Sequence, residues 1–186
     1  MLCVGAIHAR KNHRLLYDVW MKLVAQMGPR CPMLVLVGGV AWGGRDLSRA
    51  LRQDERLDGR VLILEDVDDA ALAWLYRNCL FSVYPSLQEG WGLPVAESLR
   101  HGKLCLAADI ASIREIAPDL VELLDPLDVT AWTARIRFLA GSRAAREAAE
   151  ARIAKGYAPH GWDRAAAQLL GHLTAAAKQR RPARPY

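Results

Sequence analysis

The sequence lacks the features that mark several common functional classes. Its longest apolar run, around Met33 to Trp42, is interrupted by two glycines and is too short to cross a bilayer. It contains no G-x-x-x-x-G-K-[ST] loop, which argues against an ATPase, and no serine-centred nucleophile elbow. No set of His, Cys and carboxylate residues has the spacing of a zinc site, so we expect no metal.

Cysteine is scarce, and its distribution excludes a redox motif. The four cysteines lie far apart and form no C-x-x-C pair: Cys3, Cys31, Cys79 and Cys105. This pattern indicates reduced thiols that fill the core. The N-terminus has neither a charged region nor a cleavage site, because Met1 opens directly into an apolar run. We therefore expect a cytoplasmic protein, either free or peripheral at the inner face of the membrane.

Composition and charge are those of an ordinary globular protein. Of the 186 residues, 52% are hydrophobic and 24% are charged, which suits one domain. Four of the positive charges lie in residues 178–186, where there is no acid. We expect a disordered basic tail over residues 179–186, with contact to anionic lipid headgroups as the alternative. Nucleic-acid binding is not expected, because no basic face interleaved with aromatics appears elsewhere.

Short apolar runs alternate with helical patterns along most of the chain. Six runs are continuous rather than alternating, which is typical of strands covered on both faces. They are Leu2–Ile7, Met33–Val37, Val61–Leu64, Leu80–Tyr84, Leu104–Ala107 and Leu120–Leu123. The helical patterns are Arg14–Met27, Arg45–Gln53, Asp69–Asn78, Pro94–His101, Ile113–Ala117, Val129–Ala140, Arg143–Lys155 and Asp163–Ala177. This alternation predicts an α/β fold over residues 1–178, a Rossmann-like doubly wound parallel sheet with C-terminal helices.

The most informative segment is Ser86–Glu97, which follows the fourth predicted strand. Gly90 and Gly92 allow the backbone to approach a ligand closely, and Pro94 suits the first helical position. A strand, a glycine turn and a bare helix N-terminus together predict an anion site, because free N–H groups and the helix dipole favour negative charge.

Two carboxylates, Glu89 and Glu97, lie eight positions apart around this predicted anion site. Carboxylates repel phosphate, so we interpret them as partners of hydroxyl groups attached to a phosphate. Glu97 has a simpler alternative, because the helix dipole favours a carboxylate in the first turn of a helix. Glu89 stands in a loop with no helix to stabilise. The combination predicts a phosphate-linked sugar or nucleoside as ligand.

Two cations are predicted to lie at the same edge of the sheet. Arg10, Lys11 and Asn12 follow the first strand, and the carboxyl ends of parallel strands share one edge. The alternative is that Arg10 and Lys11 are ordinary exposed surface residues without a ligand, and that Asn12 is a helix N-cap. Arg10 offers phosphate a bidentate fork and Lys11 offers a point charge. Fixed cations can stabilise a diphosphate leaving group without a metal.

These segments resemble a known family. Glu89–Glu97 resembles the E-x7-E motif of the retaining GT-B glycosyltransferases of family four. Val4–His13 resembles the V-G-x-x-x-x-R-K-N signature of their mannosyl- and rhamnosyltransferase-like members. The similarity covers about residues 2–175. It implies one Rossmann-like half of a GT-B fold, and transfer of a sugar from a nucleotide-sugar donor with retained anomeric configuration.

The resemblance also implies a role for each site residue. Arg10 and Lys11 contact the donor diphosphate and Glu89 contacts the sugar hydroxyls, so these three are the candidate catalytic residues. Glu97 contacts the ribose, and Val67 lies near the base. Further donor contacts come from Gly5, Gly90, Trp91, Gly92 and Leu93. The resemblance implies no cofactor and no metal, with the nucleotide-diphosphate sugar as substrate.

The chain departs from the family pattern in two respects. Ala6 stands where many relatives carry arginine, and we assign that role to Arg10. A GT-B enzyme has two such domains, and the resemblance covers only the donor-binding one, so we expect the N-terminal acceptor domain to be missing and the chain alone to be nearly inactive. The acceptor would be a glycan or lipid-linked molecule of the cell envelope or an exopolysaccharide. The alternatives are a non-catalytic nucleotide-binding or interaction module and a GT-B-related nucleotide-sugar epimerase.

Overall fold

The computed structural model describes residues 1–57, 59–159 and 161–179. Six strands occur in the described residues: β1 (Leu2–Val4), β2 (Leu34–Val37), β3 (Val61–Leu64), β4 (Ser82–Tyr84), β5 (Cys105–Ala108) and β6 (Glu122–Leu124). The α-helices are α1 (His13–Met27), α2 (Arg45–Gln53), α3 (Asp69–Asn78), α4 (Leu93–Arg100), α5 (Ala111–Arg114), α6 (Val129–Gly141), α7 (Arg143–Gly156) and α8 (Trp162–Gln179). This alternation confirms the predicted α/β class.

The six strands form one parallel sheet in the order β3-β2-β1-β4-β5-β6. The order reverses between β1 and β4, which are neighbours in the sheet although two strands separate them in sequence. In open α/β sheets such a reversal creates a crevice at the carboxyl ends of the two strands, where ligands bind. The predicted doubly wound sheet is thus confirmed, and it places the loops after β1 and β4 side by side.

The helices cover both faces of the sheet, because right-handed crossovers change face where the strand order reverses. On one face, α1 packs against α2 and α6. On the other face, Tyr76 of α3 packs on Leu2 and Val37, and its hydroxyl oxygen lies 3.3 Å from the Pro94 carbonyl oxygen of α4. Helices α1 and α2 therefore define a first layer, and α3 and α4 define a second.

The core between the first layer and the sheet is built from helical residues at three- and four-residue spacing. Leu16, Val19, Trp20 and Leu23 of α1 are fully buried, as is Trp132 of α6. The predicted role of the thiols is also confirmed for three of the four, since Cys3, Cys31 and Cys105 are buried. Burial raises the pKa of both Cys3 and Cys105 to about 12, which keeps these thiols protonated and unreactive.

Several predicted element boundaries were wrong. Strand β1 ends at Val4 rather than Ile7, because Gly5 has a φ of 145° and turns the chain. Helix α4 begins at Leu93, so Pro94 is not its first residue and Glu97 lies beyond the first turn. The dipole argument for Glu97 is therefore wrong.

Three other boundaries also differ. Helix α5 starts two residues before the predicted Ile113, and β6 starts at Glu122 rather than Leu120. Helix α8 begins at Trp162, so Asp163 is inside the helix rather than its N-cap.

Helix α8 carries an exposed apolar stripe. Leu169, Leu170 and Leu173 are 60%, 63% and 57% exposed. Across the described ranges, no helix combines the length and the apolar character needed to cross a membrane. The predicted basic tail, apart from Gln179, lies outside the described residues, and the domain limit at residue 178 stays a prediction.

Candidate functional site

The loops after β1 and β4 are joined by one backbone hydrogen bond and by side-chain hydrogen bonds to backbone carbonyls, at the point where the strand order reverses. The Leu87 amide donates to the Arg10 carbonyl at 2.9 Å, and Arg10 Nη1 donates to the Gln88 carbonyl at 3.0 Å. Asn12 Nδ2 donates to the carbonyls of Pro85 at 3.1 Å and Pro126 at 2.9 Å. The carboxamide of Asn12 thereby holds three loops together, and the predicted N-cap hydrogen bond of its side chain is not formed.

Both predicted cations converge on one predicted carboxylate. Arg10 Nη1 lies 2.6 Å from Glu89 Oε2, and Lys11 Nζ lies 2.7 Å from Glu89 Oε1. The Glu89 side chain is 8% exposed, that of Lys11 14% and that of Arg10 45%. We call these three residues the cation–carboxylate cluster. Two positive charges and one negative charge leave it with a net positive charge, which suits an anionic ligand.

The protonation state of Glu89 follows from opposing effects. Burial alone raises the pKa of the Glu89 carboxyl, but hydrogen bonds from Lys11, Ser86, Tyr84 and Arg10 outweigh burial and hold its pKa below the usual value. The carboxylate therefore stays ionised at neutral pH and can accept hydrogen bonds from hydroxyl groups.

The position of Lys11 is set by Tyr84 and Gly5. Lys11 Nζ donates to the Tyr84 hydroxyl at 2.8 Å and lies 5.0 Å from the centre of the Tyr84 ring. A Cβ atom at Gly5 would lie 3.4 Å from Lys11 Cε. The φ of 145° at Gly5 is also one that other residues rarely adopt. The backbone conformation at position 5 therefore requires glycine, and Tyr84 directs the Lys11 ammonium group toward Glu89.

The second predicted carboxylate, Glu97, lies apart from the cluster in the second layer. Its Oε2 accepts a hydrogen bond from the Tyr76 hydroxyl at 2.9 Å. The Tyr76 ring stacks on His101 with centroids 5.4 Å apart. Burial, together with the Glu97 charge, raises the pKa of Tyr76, so this phenol remains a hydrogen-bond donor. The hydrogen bond from Tyr76 thus holds Glu97 at the interface between α3 and α4.

Most of the residues predicted to contact the ligand in the loop that leads into α4 are exposed. Trp91 is 41% exposed and Leu93 is 64% exposed, and Gly90 is also exposed. Gly92 is buried with a φ of 109°, and a Cβ atom there would lie 2.4 Å from Ile113 Cδ1, so only glycine fits. Val67 is half-buried and packs with the cluster around Tyr76, which places it on the same layer as Glu97.

Four residues contribute to this site without having been assigned a ligand role from sequence: Asn12, His13, Tyr76 and Tyr84. A role for Tyr84 could have been predicted, because it is the last residue of a buried strand that ends at the edge of the sheet where the ligand site was predicted. Tyr76 could not, because a tyrosine on an amphipathic helix is usually core. Among the described residues, no group of three or more His, Cys, Asp or Glu could hold a metal ion. The expectation that no metal or cofactor is needed stays a prediction.

His13 is a buried imidazole next to the cluster. It is 1% exposed at the start of α1, and no described residue forms a hydrogen bond with either of its ring nitrogens. Burial, with a smaller contribution from the Lys11 charge, lowers its pKa from 6.5 to about 4. The folded protein therefore keeps His13 neutral under conditions in which an unfolded chain would protonate it.

Acidification should destabilise the protein through His13. Between about pH 8 and about pH 5 we expect a loss of about 2 kcal/mol, because the unfolded imidazole takes up a proton and the folded one does not. This contribution is complete above the unfolded pKa and falls away as the pH drops toward the folded value of about 4. Urea unfolding of wild type and His13→Asn across this range measures it.

The exposed imidazole of His172 on α8 provides the matched control. His172→Asn should keep the full pH dependence of wild type, whereas His13→Asn should flatten it. Equal pH dependence in all three proteins would show that His13 is not the group responsible.

Known protein sequences match most of the chain. Residues 1–156 match the family described as glycosyl transferases group 1. The chain is 30% identical over 169 residues to the O-antigen chain mannosyltransferase B of Escherichia coli, covering 91% of this chain and 44% of that protein. The chain spans less than half the length of the curated relatives it matches.

Solved structures share the fold at low sequence identity. The C-terminal domain of a glycosyl transferase group 1 family protein from Francisella tularensis has a TM-score of 0.66 and 18% identity, over 82% of this chain and 79% of that one. A trehalose-6-phosphate structure from Escherichia coli, bound with UDP-2-fluoro glucose, has a TM-score of 0.69 and 15% identity, over 82% of this chain and 38% of that one. These likenesses confirm the Rossmann-like fold predicted for one half of a GT-B protein.

Proposed function

This chain belongs to the glycosyl transferases group 1 family, and from that premise we propose that it binds a nucleotide-diphosphate sugar at the cation–carboxylate cluster. The observation that carries the proposal is the convergence of Arg10 and Lys11 on the ionised, nearly buried Glu89. The cluster lies at the reversal of strand order, which is where ligands bind in open α/β sheets.

The roles we propose follow from a change in the ion-pair partners of Arg10 and Lys11 when the donor binds. Glu89 pairs with both cations and compensates part of their charge. A diphosphate offers Arg10 and Lys11 several anionic oxygens, and its arrival releases the carboxylate to accept hydrogen bonds from sugar hydroxyls. As the bond between sugar and diphosphate breaks, charge grows on the leaving oxygen, and cations already in place stabilise it. We propose that transfer retains the anomeric configuration.

The remaining donor contacts are assigned from the resemblance and from position. Glu97 is proposed to hold the ribose and Val67 to lie near the base, since both belong to the second layer. The N-terminus of α4 and the glycine turn before it would face the diphosphate and sugar with backbone N–H groups. Trp91 and Leu93 are exposed beside that turn.

The proposed reaction needs a second half that binds the acceptor. A relative that is an O-antigen chain mannosyltransferase is more than twice as long as the matched segment. We propose that this chain is the donor-binding half of a hexosyltransferase that extends a glycan or lipid-linked glycan at a membrane surface. By itself it would bind the donor and transfer sugar poorly or not at all.

Calorimetric titration with GDP, UDP and dTDP, and with their sugar conjugates, tests the proposal. At least one nucleoside diphosphate should bind with a Kd in the micromolar to millimolar range, which corresponds to roughly 4 to 8 kcal/mol. Failure of all of them to bind at low ionic strength would refute the donor-site assignment. Rapid sugar transfer by the purified chain would refute the proposed need for a second half.

Glu89→Gln should change the binding of the diphosphate and the binding of the sugar in opposite directions. Removing the carboxylate charge frees both cations, so nucleoside diphosphate should bind several-fold more tightly, because a nearby repulsion disappears. The same substitution removes an acceptor for sugar hydroxyls, so the gain on adding the sugar should be lost. Titration of wild type and variant with the diphosphate and its sugar conjugate measures both effects.

Glu65 provides the matched control, since it follows β3 at the same rim and its Oε1 pairs with Arg52 at 2.6 Å. Glu65→Gln should leave both affinities unchanged. If Glu89→Gln weakens diphosphate and sugar conjugate by the same factor, the proposed division of roles is wrong.

A further inference from the structure

The Glu97 carboxylate, which the proposed function assigns to the ribose, has a buried hydroxyl group as its partner. Glu97 is half-buried on α4, and its Oε2 lies 2.9 Å from the hydroxyl oxygen of Tyr76, a residue of α3 that is 1% exposed. Within the part of the chain that the structure describes, Tyr76 is the one side chain that forms a hydrogen bond with this carboxylate. The orientation of Glu97 therefore depends on a contact made by a different helix.

The Tyr76 hydroxyl acts as the donor in this pair. A phenol has one proton to donate, and the second oxygen near it, the Pro94 carbonyl, is more distant at 3.3 Å. An ionised carboxylate only accepts, and it is the stronger acceptor of the two, because hydrogen bonds to charged groups are stronger than neutral ones. A buried hydroxyl without an acceptor costs free energy, so the phenol keeps its proton directed at Glu97.

This hydrogen bond fixes a torsion angle that a glutamate side chain otherwise leaves free. The last torsion of glutamate is broad, with two roughly equivalent positions. A donor at 2.9 Å from one oxygen selects one orientation of the carboxylate plane. An ionised carboxylate has about four acceptor positions, so the phenol uses one and leaves the others for a ligand. A carboxylate whose plane is fixed can accept from two adjacent hydroxyl groups at once, and the 2′ and 3′ hydroxyls of a ribose are such a pair.

The ring of Tyr76 is held in place independently of its hydroxyl. It belongs to an apolar cluster that includes the partly buried Val67, and it stacks on His101, whose ring plane is inclined to it by 15°. A ring that is packed in this way carries the hydroxyl at a defined position. Tyr76 therefore supports both contacts that we assign to the nucleoside, Val67 for the base and Glu97 for the ribose.

From this geometry we propose that Tyr76 is a positioning residue that makes the donor site selective for ribonucleoside diphosphates over 2′-deoxyribonucleoside diphosphates. It acts through Glu97, which it orients to accept from both ribose hydroxyls, and it does not itself touch the ligand. The inference rests on the proposed function, since it takes the donor to lie between the cation–carboxylate cluster and Glu97. Of the three nucleotides named above, GDP and UDP meet this selection, whereas dTDP lacks the 2′ hydroxyl and does not.

Titration of the purified chain with two ligand pairs, GDP with 2′-deoxy-GDP and UDP with 2′-deoxy-UDP, tests the selectivity. For a pair that binds, wild type should bind the ribonucleotide at least about tenfold more tightly than its 2′-deoxy form, because the deoxy form lacks one hydrogen bond to a charged group. In Tyr76→Phe the two forms should bind within about threefold of each other. Inorganic pyrophosphate, which has no ribose, should bind wild type and variant within about twofold.

Tyr17→Phe is the matched control. The buried Tyr17 of α1 also donates its hydroxyl to a carboxylate, that of Asp54, but it does so in the first layer. Its replacement removes the same chemical pair and should leave the preference for the ribonucleotide unchanged. If Tyr76→Phe does not fold, Glu97→Gln provides the second measurement. It should lower the same preference, because a carboxamide offers one acceptor oxygen in place of two.

Several results would overturn the inference and leave the donor site in place. Wild type could bind the ribonucleotide and its 2′-deoxy form alike, or Tyr76→Phe could keep the full preference of wild type. Glu97→Gln could keep it where Tyr76→Phe does not fold. A loss of similar size for every ligand in Tyr76→Phe, pyrophosphate included, would make Tyr76 a structural residue only. If wild type binds no nucleoside diphosphate at all, the proposed function fails, and this inference fails with it.

Discussion

Lys11→Ala should weaken nucleoside diphosphate binding by roughly 10- to 100-fold at low ionic strength. A charge-assisted hydrogen bond contributes about 1.5–3 kcal/mol, and each 1.4 kcal/mol is a factor of about ten in Kd. The lysine side chain is 14% exposed, so solvent screens it less than it would a surface charge. The substitution also leaves Glu89 with one cation fewer, and the less compensated carboxylate repels the ligand.

Calorimetry at low and high salt, with thermal unfolding alongside, measures this effect. The loss should be smaller at high salt, because ions screen the attraction that the wild-type lysine provides. Lys155 on α7 is exposed and serves as the matched control, and Lys155→Ala should bind as wild type does. A Kd for Lys11→Ala within about twofold of wild type would remove Lys11 from the donor site.

Lys11→Arg distinguishes charge from shape. Arginine keeps the positive charge, but its planar fork replaces a point charge in the narrow space beside Gly5 and Tyr84. We expect it to recover part of the lost affinity. Equal losses in Lys11→Ala and Lys11→Arg would mean that the packing of the lysine stem matters and its charge does not.

Trp132→Ala should cost about 3–5 kcal/mol of folding free energy, the usual range for removing a fully buried tryptophan. Trp132 is fully buried in α6, and α6 packs on α1. Its Nε1 donates to the Asp125 carbonyl at 2.9 Å. The next residue, Pro126, accepts from Asn12, so the same turn supports the loop that follows β1. For a chain of this size the melting temperature should fall by roughly 6–20 °C.

Urea unfolding measures the loss, and the same helix supplies a control. Phe138 on α6 is 50% exposed, and Phe138→Ala should cost under about 1 kcal/mol, as surface substitutions usually do. Trp132→Phe keeps most of the buried volume and should cost less than alanine. Similar stability of Trp132→Ala and Phe138→Ala would mean that α6 is not part of the cooperative core. If Trp132→Ala is too unstable to purify, the phenylalanine variant still measures the loss of the indole.

The sequence predicted the elements of the fold well where local patterns are strong. Continuous apolar runs such as Val61–Leu64 matched the strand observed, and the pattern Arg45–Gln53 matched α2. Boundaries were less accurate where the backbone changes direction. A leucine before a proline can open a helix, as Leu93 does, and apolar residues after Gly5 continue the pattern of a strand that has already ended.

The site was predicted in part. The sequence pointed to Arg10, Lys11 and Glu89 as residues of one rim, and the structure brings them into direct contact. The partner of Glu97 was not predicted, because Tyr76 is 21 positions away in sequence and reaches it across two helices. The ring contact between His8 and Trp42 could likewise not be predicted from the sequence, because it joins the loops that follow two adjacent strands.

The order of residues along the chain by itself determined the α/β class, the rim on which the unusual residues lie and the glycine turn before α4. These properties follow from apolar periodicity and backbone preference within a few residues. Only the tertiary structure decided that β1 lies beside β4, and thus that two cations neutralise Glu89 while Tyr76 binds Glu97. Strand order depends on how distant apolar faces pack against one another, and no local pattern contains that information.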